Sequence, residues 1–271
     1  MAGKAMFNRA VLLVTLAVAA CSAPPAATPT SPAPDLAGMY SDPPNTALDM
    51  FCFFACTDVG LRRLEALLDD PANDAKPYTA LSEDATRHQL DEYLRPHLTE
   101  AALGAPMPDP MKDPGYLNCE PWGFARQLFA PHQLEIKQYP DRVELHYGEW
   151  DAHRTVHLGE RAPPADRAHS PMGYSVGHYE GDTLVVETTL ITANFGPTRL
   201  WEGLHSDQLT AVERYRRPTP ERLELTARLT DPPTFRDPLE LKKIWRFAPE
   251  QEIASYDCEP AAPKAAEGKT P

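Results

Sequence analysis

The sequence is poor in positive charge and in long apolar runs. It has 26 Lys and Arg against 39 Asp and Glu, which gives a formal net charge of −13 at pH 7. This charge repels nucleic-acid phosphates and no basic stripe with interleaved aromatic residues offsets it, so nucleic-acid binding is excluded. The one long apolar run lies at the start, which excludes a multi-span membrane protein. Hydrophobic residues make up 42% of the chain, enough for a folded domain rather than global disorder.

The first 20 residues have the pattern of a signal peptide. Lys4 and Arg9 precede an apolar run at residues 10–20 that is too short to cross a bilayer. The run ends in small residues before Cys21 and resembles the bacterial lipobox, which implies cleavage and diacylation of Cys21. In lipoproteins, Ser22 at the next position implies transfer to the outer membrane. We therefore expect a periplasmic, lipid-anchored protein; the alternative is an ordinary secretory signal that happens to end in cysteine.

Composition divides the rest of the chain. Residues 21–48 are rich in Pro, Ala, Ser and Thr and predict an extended, lipidated tether. A helical region is predicted over residues 49–104 and a β domain over residues 105–258. Residues 259–271 have few apolar groups and predict a disordered tail.

Four cysteines remain if Cys21 carries lipid, and four cysteines allow three pairings. We favour Cys119 with Cys258, because this bridge would join the two ends of the β region, and Cys52 with Cys56 as the second bridge. A helix around Cys52 would hold the second pair of sulfurs too far apart for unstrained geometry. A cysteine metal site needs a C-x-x-C pair or clustered histidines, and neither is present.

Hydrophobic spacing predicts two short helices followed by strands. Thr57 caps a helix over residues 57–69, and a second helical run begins at Ser82. From about Pro131 the apolar residues alternate, which is typical of half-buried strands. Short turn signals separate successive strands, so the strands should be antiparallel. The predicted fold is mainly β, an antiparallel up-and-down barrel or a strongly curved sheet with a small helical N-terminal region.

Five blocks of the sequence stand out together: residues 117–124, residues 172–186, His205-Ser206, Glu213-Arg214 and Asp231-Pro232. In this order and spacing they resemble a large family of secreted bacterial proteins that are mostly described as hypothetical. The resemblance covers roughly residues 108–260 and implies an extracytoplasmic location and a β-rich fold, but no activity. The helical insert with Cys52 and Cys56 departs from the family pattern.

Two apparent catalytic motifs are poor candidates. Ser175 stands in a G-x-S-x-G sequence, but a hairpin follows where a nucleophile elbow needs a helix. His153 and His157 would chelate a metal on a helix, but in a strand they are separated by roughly 13 Å. The sequence also lacks phosphate-loop and dinucleotide fingerprints. We therefore predict neither a metal nor a cofactor.

The strongest candidates lie near the mouth of the predicted barrel. Glu213 is in register with apolar residues, so its carboxylate should face inward and need a cationic partner, either Arg154 or Lys243 from a neighbouring strand. A buried structural ion pair is the simpler interpretation. The alternative interpretation is catalytic: a group of acid and base side chains that transfers a proton to or from a substrate. The predicted catalytic residues are His205, Glu213 and Tyr174; the predicted ligand-binding residues are Arg154, Asn194, Trp201, Ser206 and Lys243.

These features support three hypotheses. The first is an outer-membrane-anchored lipoprotein that binds a small amphipathic ligand in the interior or mouth of its barrel. The second is a cofactor-free periplasmic lyase, isomerase or decarboxylase that acts on a small, partly apolar compound, including aromatic or acidic ones. The third is a structural lipoprotein, which should have a filled barrel and an exposed apolar patch on its helices.

Overall fold

The structure is a computed structural model that describes residues 33–41, 51–52, 56–106, 108–109, 112–159, 162–197 and 203–260. The predicted signal peptide, Cys21, most of the tether, Trp201 and residues 261–271 lie outside these residues. Ala33–Pro271 is one compact unit, so the predicted helical and β regions share a fold.

Short helices occupy the N-terminal part of this unit and connect to the barrel. Thr57 caps the first helix by accepting a hydrogen bond from the Gly60 amide, as the sequence predicts. The second helix begins at Tyr78, four residues before the predicted Ser82, and continues through a π-helical segment. The helices are α1 (Asp58–Asp69), α2 (Tyr78–His88), the π-helix Gln89–Leu94, α3 (Arg95–His97), α4 (Glu100–Gly104), α5 (Pro114–Leu117) and α6 (Phe124–Phe129), with 3-10 turns at Pro71–Asn73 and Glu149–Asp151.

Nine of the eleven described strands close into a barrel, which confirms the predicted fold class. Their order is β1-β11-β10-β9-β6-β5-β4-β3-β2, with β1 pairing on both sides to close it. Strands β7 and β8 form a separate two-stranded ribbon. The strands are β1 (Gly38–Ser41), β2 (Leu134–Gln138), β3 (Arg142–Tyr147), β4 (Ala152–Leu158), β5 (Tyr174–Glu180), β6 (Thr183–Thr189), β7 (Asn194–Phe195), β8 (Leu204–His205), β9 (Thr210–Thr219), β10 (Arg222–Thr230) and β11 (Leu239–Phe247).

Two features of the barrel correct the sequence prediction. Strands β4 and β5 are parallel, with Val156 opposite Ser175, because the 15 residues between them are long enough to return the chain to the same end. Strand β1 comes from the predicted tether, and Leu36 and Tyr40 in this segment are fully buried. The tether prediction therefore extends too far, since residues 33–41 belong to the barrel.

Side chains fill the interior of the barrel. A void large enough to hold water would leave accessible surface on the residues lining it, yet the inward-facing apolar residues of the buried core cluster are at most 3% exposed. All six residues of α6 are buried against this core. These buried core residues include Leu134, Ile136, Val143, Leu145, Tyr147, Val156, Leu184, Val186, Ala211, Tyr215, Leu223, Leu225, Ala227, Leu229, Leu239, Leu241 and Trp245.

Two disulfides hold the chain together, in the pairing that the sequence analysis favours. Cys52 and Cys56 are bridged with their Cα atoms 4.8 Å apart, and residue 56 lies in a β-bridge with Lys242 rather than in a helix. This conformation brings the two sulfurs together where a helix would not. Cys119 and Cys258 form the second bridge across 139 residues of sequence.

Candidate functional site

A buried ion pair crosses the interior of the barrel. Arg154 donates to both carboxylate oxygens of Glu213, at 2.8 and 2.6 Å, in the two-pronged geometry that suits a guanidinium. The side chains are 2% and 0% exposed. Of the two cations considered from the sequence, the partner is thus Arg154. It does not come from a neighbouring strand, because β5 and β6 lie between β4 and β9.

Hydroxyl groups complete the coordination of the Glu213 carboxylate. Tyr215 donates to it at 2.7 Å and Thr188 at 3.0 Å, while the Ser175 hydroxyl bonds Thr188 at 2.9 Å. Burial alone would lower the pKa of Arg154, but the Glu213 carboxylate together with Tyr147 and Tyr215 outweighs burial, and the pKa is raised well above its usual value. Arg154 therefore stays charged and Glu213 is fully engaged. This arrangement is a structural ion pair.

The proposed set of His205, Glu213 and Tyr174 does not converge, which corrects the catalytic hypothesis. Ser175 faces into the barrel, so Tyr174 faces outward, as neighbouring residues of a strand do. The Tyr174 ring stacks on His157 with centroids 4.7 Å apart. Ser175 lies in the middle of a sheet and bonds Thr188, which rules out a nucleophile elbow at this position.

Lys243 also faces inward but does not touch the ion pair. Its ammonium group donates to the carbonyl of Ala130 at the end of α6 and lies 4.5 Å from the centre of the Trp245 ring. Burial lowers its pKa to about 7, while the Glu149 carboxylate opposes this shift. Lys243 thus connects β11 to the helix that fills one end of the barrel.

The β7–β8 ribbon positions His205 at this same end, between β6 and β9. His205 is 1% exposed, and its Nδ1 lies 2.9 Å from the carbonyl oxygen of Ser206. A carbonyl can only accept, so Nδ1 carries the proton and Nε2 is an acceptor. Nε2 is buried and has no hydrogen-bond partner among the described residues. Burial lowers the pKa of His205, opposed by the Ser206 carbonyl and the Asp231 carboxylate, so the imidazole is neutral at pH 7.

Asp231 fixes the turn that follows His205. The Ser206 amide donates to Oδ2 of Asp231 at 2.8 Å, and the Ser206 hydroxyl donates to Oδ1. Asp231 is 1% exposed and lies at the end of β10. Ser206, predicted as a ligand-binding residue, thus holds the backbone beside His205 in place. The sequence alone gives Asp231 no role, although Asp231-Pro232 is one of the blocks that resemble the secreted family.

Aromatic rings and a buried cation lie beside the ribbon. Asn194 pairs with His205, and its side chain covers Gly123, where a Cβ atom would come within 2.7 Å of the Asn194 amide nitrogen. The rings of Trp122 and Phe195 are 5.4 Å apart, and the guanidinium of Arg126 lies 5.6 and 5.8 Å from their centres. These contacts are missing from the sequence prediction because α6 is buried all round and shows no amphipathic periodicity.

We define the mouth site as Asn194, His205, Ser206 and Asp231, with Trp122, Arg126 and Phe195 bordering it. Of the residues predicted from the sequence, the structure gathers Asn194, His205 and Ser206 here. Arg154, Glu213 and Lys243 are inside the barrel, and Tyr174 faces outward. Trp201 belongs to the β7–β8 connection but lies outside the described residues.

Comparison with known proteins identifies no family. No protein-family model and no curated protein matches the chain. Among solved structures, the wild-type fluorescent protein UnaG matches with 18% identity over 43% of this chain and 72% of that chain, at a TM-score of 0.26. A point mutant of UnaG matches with 20% identity, 43% and 70% coverage and the same TM-score. Such a low TM-score supports no functional argument, so the fold assignment depends on the strand order itself.

Within the described part of the chain, no helix has the length and apolar character needed to cross a bilayer.

Proposed function

We propose that the protein binds a small amphipathic molecule at the mouth site. The observation that carries this proposal is the Nε2 atom of His205, a buried acceptor with no partner among the described residues. An unsatisfied buried polar atom costs about 1–3 kcal/mol. A ligand hydroxyl or N–H group that donates to Nε2 would remove this cost, and the nearby aromatic rings suit an apolar body.

Because side chains fill the interior of the barrel, we place the ligand at the mouth site rather than inside the barrel. The inward-facing apolar residues and the Arg154–Glu213 pair occupy the space where ligand-carrying barrels hold their cargo. The filled interior also fits the structural hypothesis. That hypothesis further predicts an apolar patch on the helices. Among the described helical residues, however, the exposed large apolar side chains are the separate Leu103 and Leu117.

The ligand can be sought by native mass spectrometry of the protein purified from a periplasm, before and after incubation with extracts of the growth medium. A bound mass that persists unchanged supports a binding protein. Conversion of an extract component to a new mass would instead indicate an enzyme. If neither occurs, the structural hypothesis is favoured.

The role of His205 is tested with 8-anilinonaphthalene-1-sulfonate, an aromatic acid with one N–H donor. We expect saturable binding to the wild type and at least about tenfold weaker binding to His205→Leu, since one buried hydrogen bond is lost. The matched control is His169→Leu, because the His169 Nδ1 also faces a backbone carbonyl, that of Ile191 at 3.1 Å, but its side chain is less buried. Equal binding by the wild type and His205→Leu would contradict the proposal.

We also propose that Cys21 anchors the protein to the periplasmic face of the outer membrane. Two disulfides support an oxidising compartment, and the lipobox pattern supports lipidation. Metabolic labelling with palmitate should mark the wild type and not Cys21→Ser. Labelling of both proteins would contradict the anchor.

A further inference from the structure

Three neighbouring strands place metal-ligand side chains in one row on the outside of the barrel. Glu135 on β2 is opposite His146 on β3, which is opposite His153 on β4. Their sequence neighbours Leu134, Leu145 and Arg154 face inward, so these three side chains face outward. The sequence alone suggests only the pair His153 and His157, because the row depends on pairing between strands.

The connection between β3 and β4 adds Asp151 to the row. Trp150 and Asp151 both have left-handed backbone conformations, with φ of 59° and 51°. Such conformations cost a non-glycine residue about 1 kcal/mol or more and are often kept for a functional reason. Here they bring the Asp151 carboxylate to 2.5 Å from Nε2 of His146 and 3.6 Å from Nε2 of His153.

One possible ligand atom from each of His146, Asp151 and His153 therefore lies in a single cluster. The Nε2 atoms of both histidines face the same oxygen of Asp151, and ligand atoms of the three residues lie within 4.8 Å of one another. Glu135 lies behind His146, with its oxygen 3.6 Å from Nδ1. In this structure Nε2 of His146 donates to the Asp151 carboxylate at 2.5 Å and therefore carries the proton. A metal ion at Nε2 would displace that proton, and the N–H group at Nδ1 would then face the Glu135 carboxylate, the usual outer-shell arrangement of metal-bound histidines.

We propose that His146, Asp151 and His153 bind a divalent transition-metal ion of the zinc class, and that Glu135 is a positioning residue. Two imidazoles and a carboxylate suit zinc, and a fourth position stays open for water. Bonds of about 2.0–2.1 Å place tetrahedral donor atoms roughly 3.3 Å apart. The widest pair of ligand atoms must therefore close by about 1.5 Å at most, and the Asp151–His146 pair, now at 2.5 Å, must open by about 0.8 Å. The two imidazole rings are stacked 4.0 Å apart on the surface and can close by rotation.

The test is calorimetric titration of Zn²⁺ into the full chain without an affinity tag. We expect one ion per chain, with His153→Ala and Asp151→Asn each weakening binding at least about tenfold. His153 is 64% exposed, so its replacement should leave the fold intact. The control is His178→Ala, because His178 lies on a barrel strand and bonds a carboxylate of Glu180 at 3.0 Å but belongs to no such group.

Titration with Co²⁺ gives a second measurement. Visible absorption bands of a four-coordinate ion should appear in the wild type and in His178→Ala, and should be lost in His153→Ala. The proposal is overturned if the wild type binds no Zn²⁺ up to about 0.1 mM. It is equally overturned if His178→Ala weakens binding as much as His153→Ala does.

Discussion

Replacing Glu213 with Gln should destabilise the protein strongly, because the substitution leaves the Arg154 charge buried without its counterion. Gln keeps the shape of the side chain and accepts hydrogen bonds at its single amide oxygen, but it carries no charge. Removal of one partner of a buried ion pair typically costs about 3–5 kcal/mol. The exposures of 2% and 0% place this pair in that class. Guanidinium unfolding followed by tryptophan fluorescence measures the loss in free energy of unfolding.

The matched control is the exposed ion pair formed by the next residue of β9. Arg214 donates to Glu180 at 2.6 Å, but these side chains are 46% and 49% exposed. Exposed pairs contribute about 0–1 kcal/mol, so Arg214→Met should stay within about 1 kcal/mol of the wild type. A Glu213→Gln protein that also stays within about 1 kcal/mol would refute the reasoning.

The double variant Arg154→Met with Glu213→Leu separates two contributions to the free energy of unfolding: the loss caused by an unpaired buried charge and the stabilisation due to the ion pair itself. Replacement of a buried pair by apolar groups is often close to neutral. In this barrel it also removes the acceptor of the Tyr215 and Thr188 hydroxyls, which adds about 1–3 kcal/mol. We therefore expect the double variant to be more stable than Glu213→Gln. The opposite order would mean that the pair itself stabilises the fold.

The remaining predictions concern Lys243 and the disulfides. Burial lowers the pKa of Lys243 to about 7, so between pH 7 and its usual pKa of about 10.4 the unfolded state binds more protons than the folded state. The free energy of unfolding of the wild type should therefore rise relative to Lys243→Met by up to about 1.4 kcal/mol per pH unit. A constant difference between the two proteins in denaturant unfolding at pH 7 and 9 would contradict this. Loss of the Cys119–Cys258 bridge, which spans 139 residues, should cost roughly 5 kcal/mol by loop entropy, against roughly 2 kcal/mol for Cys52–Cys56, which spans 4. Double alanine variants compared by denaturant unfolding test this order, and equal losses would contradict it.

Local sequence patterns predict most of the barrel because the pattern and the packing have the same cause. Alternating residues such as Leu223, Leu225, Ala227 and Leu229 are fully buried or nearly so, as their period of two requires. Turn residues fix the hairpins for the same local reason. No local sequence pattern predicts the parallel pairing of β4 and β5. The Pro-rich connection of 15 residues between them is compatible with either direction of the following strand.

The closure of the barrel by β1 is the other feature that local sequence patterns do not predict. Strand β1 has four residues and its partners Ile136 and Phe247 are about 100 and 200 positions away. Its neighbouring prolines are typical of a tether, and only the pairing with both β2 and β11 makes the segment a strand. The same limit applies to the mouth site. Asn194 and His205 stand in loop sequence and could be predicted, whereas Asp231 joins them only through the ends of β9 and β10.

The contrast between the ion pair and His205 gives the physical basis for placing a ligand at the mouth. Both oxygens of the buried Glu213 carboxylate have hydrogen-bond donors. His205 is just as buried, yet its Nε2 has no described partner. A fold that needed only to fill this space could hold a phenylalanine or leucine there without the cost of a bare acceptor. A donor group from outside the chain, bound at the mouth site, would recover that cost.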